Sequence, residues 1–215
     1  MYTLPHLIIS EYVSKSIKIE NFPQYYLGTI SPDAIHNRKD FNPDMKKDSH
    51  LCVGSEKWGM IINNDEWKEN VIIFLNKHKK TEDKDFILGY CSHILADMYN
   101  NIYFWTPFKQ KNPEVLKNLY NYDDLHHRAG YKMEIELALT YNNRNEFWVN
   151  LEKSKGINLS NIIYADEIEK QKINILNIWY KDKARSNLST EEMANTMDTI
   201  KKASDYIIEF FNENL

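Results

Sequence analysis

Apolar residues recur every three or four positions along most of the chain, the spacing of one helical face. The pattern predicts a first helix over residues 6–17, with Leu7, Ile8, Tyr12 and Val13 turned inward. Asn21-Phe-Pro breaks it, and a short helix follows over 24–30, closed by Ser31-Pro32-Asp33. Residues 36–43 are mostly polar and read as loop, and Pro43 opens another short helix toward His50. Asn64-Asp65 offers an N-cap for a helix to residue 79. A long helix begins at Thr81 and runs to Phe104, and residues 106–112 connect it to the next. Pro113 suits the first turn of a helix to Tyr120, and Asp123 or Asp124 caps a helix to Tyr141. Short helices are expected over 145–153 and 158–164, and longer ones over 166–181 and 190–211. Ser189-Thr190-Glu-Glu carries the capping-box pattern at the start of the last. Six Gly and six Pro are few for the many turns of an all-β chain. The expectation is an all-α, compact multi-helix bundle, one domain over 1–215, with long functional loops in its first third.

One stretch departs from ordinary amphipathicity. In Gly89-Tyr-Cys-Ser-His93-Ile-Leu-Ala-Asp97, a histidine and an aspartate sit one turn apart in a segment that is apolar on nearly every side. Such a helix is buried, and a buried carboxylate costs several kcal/mol unless something pairs with it. No Lys or Arg lies within a turn of Asp97 on that helix. His93 and Asp97, at i and i+4, share a face and can share one cation.

Composition narrows the setting. With 215 residues, a core needs no cross-links, and two cysteines make neither a disulfide framework nor a CxxC zinc motif. A reducing, cytoplasmic compartment fits, since the start Met-Tyr-Thr-Leu-Pro-His lacks the features of a secretory signal. No apolar run approaches the roughly 20 residues of a membrane span. The net charge of −4, without a basic block, does not suggest nucleic-acid binding.

Further groups are able to complete a metal site: His6, Asp33 after Pro32, His36, His50 in Asp48-Ser-His, and the later His126, His127, Glu134 and Glu136. Imidazole and carboxylate suit zinc, and equally iron, manganese or nickel. Each has a plainer reading: Asp33 as a turn residue, His50 as an ordinary helix position, His6 as a surface cap. There is no HExxH, and no His-Asp dipeptide of the HD-type phosphohydrolases.

Taken in order, Leu4-Pro-His6, Tyr26-Leu-Gly-Thr-Ile-Ser-Pro-Asp33-Ala, Lys47-Asp-Ser-His50 and Leu88-Gly-Tyr-Cys-Ser-His93-Ile-Leu-Ala-Asp97 resemble the zinc-dependent phospholipase C family. That family shares its all-helical fold with fungal single-strand nucleases, and the likeness covers residues 4–100. It implies that Asp33, His50, His93 and Asp97 are central metal ligands. It also implies that Asp97 bridges to a second metal held by His6, and that Asp33 bridges, orients the attacking water or acts as catalytic base. His36 has no counterpart and is placed beside the ligands or facing substrate. Two departures stand out: the chain opens with Met1-Tyr2 instead of the family's metal-binding Trp, and the later HxxxE pair is missing. The nearest material is His127 with Glu134, seven residues apart, so one or two zinc ions are expected.

The function implied is metal-dependent hydrolysis of a phosphoester, either a phospholipid or a soluble phosphodiester or phosphomonoester. His126, His127 or Arg128 would contact the phosphate, and Trp58, Trp67, Tyr103, Phe104 and Trp105 form either an apolar lip or core. The alternative is a metal-stabilised binding or structural module of the same fold without turnover. The pattern does not specify oligomeric state. Residues from 158 onward complete the core, form a dimer face or cover the site.

Overall fold

The computed structural model describes residues 2–52, 59–61, 63–114 and 125–215, without the side chains of 125 and 126. All its regular elements are helical. They are α1 (Thr3–Ser14), α2 (Phe22–Ile30), α3 (Met45–Ser49), α4 (Asn64–His78), α5 (Lys84–Asn100), α6 (Thr106–Lys111), α7 (Leu125–Thr140), α8 (Arg144–Lys153), α9 (Ala165–Asn174) and α10 (Thr190–Asn214). A 3₁₀ turn spans Pro32–Asn37, and π-helical turns extend α5 (Asn101–Trp105) and α9 (Ile175–Trp179).

Caps explain several boundaries. The Asn63 side chain accepts the Glu66 amide at 3.1 Å, one position before the expected cap of α4. The expected box on α10 forms: Ser189 Oγ accepts from the Glu192 amide at 3.1 Å, and Glu192 accepts the Ser189 amide at 2.8 Å.

Two expectations are overturned. Residues 106–112 are no plain connector, because α6 follows α5 through the π turn, and Pro107, which lacks an N–H to donate, sits directly after that irregular turn. Residues 158–164 form no helix. Ser160 turns left-handed at φ 50°, Leu159 N donates to Ile163 O, and Asn158 Oδ1 takes the Ala165 amide that a helix would use otherwise. The expected loop over 36–43 also begins later, since His36 lies in the 3₁₀ turn. The helix to Tyr120 and the caps at Asp123 and Asp124 lie outside the described residues.

The centre is α5, buried from Asp85 to Tyr99. It crosses α2 so closely that glycine is obligatory on both sides. A Cβ on Gly89 would lie 1.9 Å from the Tyr25 carbonyl oxygen, and one on Gly28 would lie 2.0 Å from that of Phe86. Helix α1, buried from Leu4 to Glu11, packs against α2, α5, α7 and α10. Ile200, Ala203, Ile207, Phe210 and Phe211 of α10 belong to the same core, so this part of the last third completes the bundle. No helix among the described residues is long and apolar enough to cross a membrane.

Candidate metal centre

The glycine crossing sets the first ligand. With α2 and α5 in backbone contact, the Thr29 carbonyl lies 2.7 Å from His93 Nδ1, one turn beyond Gly89. Only an N–H can bond a carbonyl, so Nδ1 carries a proton and Nε2 is the atom turned toward the cluster. His50 is fixed similarly: Nδ1 lies 3.1 Å from the Lys46 carbonyl and 2.8 Å from Ser49 Oγ. The backbone around His50 is held by Trp67 Nε1, donating to the His50 carbonyl at 2.7 Å, and by Tyr90 of α5, bonding the Ser49 carbonyl. His6, on α1, stacks on the His93 ring at 3.7 Å between centroids and 9° between planes.

Two carboxylates face these rings. Asp97 Oδ2 lies 3.5 Å from His50 Nε2 and 3.6 Å from His93 Nε2, while its Oδ1 lies 3.4 Å from His6 Nε2. Asp33 Oδ1 is 3.5 Å from His50 Nε2, and Oδ2 is 3.9 Å from His93 Nε2. Thus His6, Asp33, His50, His93 and Asp97 are brought together from four separate stretches of chain. Two overlapping triads, His6–His93–Asp97 and Asp33–His50–His93, are compact enough to hold an ion.

These spacings are long for hydrogen bonds. They suit ligands around an ion, since N and O donors at 2.0–2.2 Å from a tetrahedral centre lie about 3.4 Å apart. With Nδ1 carrying the proton, the Nε2 atoms of His50 and His93 and the carboxylate oxygens are able to share one cation. His93 Nε2 and both nitrogens of His6 are buried without a hydrogen-bond partner among the described residues.

Burial lowers His6 to a pKa of about 3 and His50 to about 4, so both rings are neutral at pH 7. Burial opposes ionisation of Asp33, but the Lys46 ammonium at 2.8 Å outweighs it and holds the carboxyl well below the usual range. Asp97 moves the same way: burial opposes, while nearby positive charge and the imidazoles of His6 and His93 prevail. Lys46 was not singled out from the sequence, since one lysine in Met45-Lys-Lys-Asp48 carries no pattern.

Other candidates are not members of the triads. His36 packs edge-on against Phe41 at 4.8 Å and interacts with Asp33 through that residue's backbone and charge, beside the triads. His127 offers its carbonyl to the Tyr2 hydroxyl at 2.9 Å, and Arg128 is exposed. The His126 side chain and Trp58 lie outside the described residues. Trp67 is core, 2% exposed, whereas Tyr103 and Phe104 are exposed. Glu136 pairs with Arg185.

Glu134 has a different task from the expected ligand. It accepts the Leu4 amide at 2.9 Å, capping the first turn of α1, and bonds the Tyr180 hydroxyl. Burial raises its carboxyl to a pKa of about 7. The folded state therefore holds a proton that the unfolded chain releases near 4.5, and this group's contribution to stability falls as pH rises from about 4.5 to about 7. Glu134→Gln is expected to be relatively more stable than the wild type at pH 8 than at pH 5. Urea midpoints at the two pH values test this, and equal differences would contradict it.

No family model, curated protein or solved structure matches the chain.

Proposed function

We propose that the chain is a metal-dependent hydrolase of phosphoesters, using one zinc-type divalent ion held by Asp33, His50, His93 and Asp97. The observation that carries the metal reading is the set of imidazole Nε2 atoms and carboxylate oxygens gathered at 3.5–3.9 Å in a buried pocket. His6 faces the second oxygen of Asp97, and a second ion there would have these two groups as its ligands.

When bound, such an ion supplies a water of lowered pKa and offsets charge on phosphoryl oxygens. The protein's own groups set the rest. Thr29 and Lys46 carbonyls orient the rings, and Asp33, ionised beside Lys46, orients the attacking water or takes its proton. Lys46, on Asp33, places a positive charge at the rim. The phosphoester class comes from the ordered motif resemblance. Glu134 is engaged by Leu4 and Tyr180, which favours a smaller metal count than the family's and keeps the non-catalytic, metal-stabilised module as the second reading.

Elemental analysis of wild type, His93→Ala and His36→Ala tests the centre, with bis-p-nitrophenyl phosphate as substrate. Wild type and His36→Ala are expected to carry about one ion per chain and to hydrolyse the ester, and His93→Ala to lose both. Metal without turnover of this or other phosphoesters would select the second reading, and equal metal content in wild type and His93→Ala would refute the centre.

A further inference from the structure

Between α7, α8 and the π-helical turn after α9 lies a cleft of about 540 Å³, a volume typical of small-molecule sites. It shares no residue with the metal triads. Arg144 and Lys181 line it together with the amides of Asn145 and Asn177, and no Asp or Glu is among its described lining residues. Arg144 spends one Nη1 bond on the Ala138 carbonyl at 2.8 Å, which fixes the guanidinium and leaves further donors of its fork. One wall is aromatic: Trp148 and Tyr180 stack at 5.7 Å between centroids, tilted by 22°. Leu139 and Leu176 add apolar surface.

The second observation concerns the backbone. Leu176 and Asn177 belong to the π-helical turn Ile175–Trp179, and Tyr180 and Lys181 follow it directly. A π turn sacrifices regular helix bonding, alters side-chain directions and is frequent at functional sites. Here it is the segment that puts an amide, a phenol and an ammonium on one cleft.

We infer that this cleft binds a small organic anion with a flat aromatic body and a phosphoryl or carboxylate group. Arg144 and Lys181 would meet the charge, the two asparagines its remaining oxygens, and Trp148 the ring. The two cations favour an anion, and the aromatic wall favours an aryl group over bare phosphate.

Phenylphosphonate, which phosphoesterases do not hydrolyse, is the probe, titrated calorimetrically into chelator-treated full-length protein so that the metal centre offers it no ion. One saturable site is expected, with benzene binding not detected and inorganic phosphate about five-fold weaker. Lys181→Gln, at an exposed position that should not disturb folding, is expected to weaken binding about ten-fold, and Trp148→Leu about five-fold. Asp97→Asn is expected to bind as wild type does. No saturable binding, equal affinity in wild type, Lys181→Gln and Trp148→Leu, or loss of binding in Asp97→Asn would each overturn the assignment. Because the metal-free protein is used, these outcomes are independent of whether the metal centre hydrolyses phosphoesters.

Discussion

Asp97→Asn is expected to abolish the thermal response to zinc while leaving the metal-free protein folded. Asp97 is the group that faces three imidazoles, with Oδ2 toward His50 and His93 and Oδ1 toward His6. The amide keeps the volume but loses the charge that draws an ion, so affinity should drop by more than about 100-fold, exceeding the loss typical of groups outside the coordination sphere. At a free ion concentration about 1,000 times Kd, binding stabilises the native state by about 4 kcal/mol. For a chain of this size that corresponds to roughly 8–16 °C in Tm. The wild type should show this rise on zinc addition, and Asp97→Asn only a small fraction of it. In chelator, the variant should stay folded but melt somewhat below the wild type, because folding favours the ionised form of a carboxyl held below its usual range. Equal zinc-induced shifts in both proteins would remove Asp97 from the ligand set.

The second large effect is structural. Gly89→Ala places a methyl group 1.9 Å from a backbone oxygen of α2, which cannot rotate away. The helices must part by more than 1 Å or so, at a cost of about 3 kcal/mol, the upper end of ordinary overpacking. Tm should fall by roughly 6–12 °C. His93 should also lose its hold on the Thr29 carbonyl, weakening metal affinity by about 10-fold or more. Gly130→Ala is the control. Its methyl would meet the Tyr2 ring at 2.2 Å, and a side chain can turn aside at lower cost than backbone can. Similar losses from both substitutions would show that the α2–α5 crossing has no special intolerance.

The helical class was legible in the apolar spacing, and the first two clustered residues in burial, since a wholly buried helix leaves few explanations for a carboxylate inside it. His93 and Asp97 could be read from their own neighbours, and the motif order supplied His6, Asp33 and His50. The partners that fix the rings were not legible, because Thr29 and Lys46 act through backbone carbonyls, which every residue possesses. The partners of Glu134 were not legible either, since its hydrogen bond to Leu4 spans 130 positions and no local pattern encodes it. The π turns escaped for a similar reason, as an extra residue per turn leaves apolar periodicity almost unchanged over five positions.

His50 is carried by α3, a helix of five residues, far below the length at which a helix holds itself together in water. The next residue, Leu51, sits at φ 55°, a conformation a branched side chain adopts only under constraint. Order in this segment is borrowed from Trp67 of α4 and Tyr90 of α5. The cluster thus joins two longer helices, α1 and α5, and the 3₁₀ turn after α2 to one short segment with little stability of its own, and opening of that segment precedes global unfolding. Its amides should exchange with deuterium well before those of α5, and the exit rate of a bound ion should follow that local opening and not the melting of the bundle.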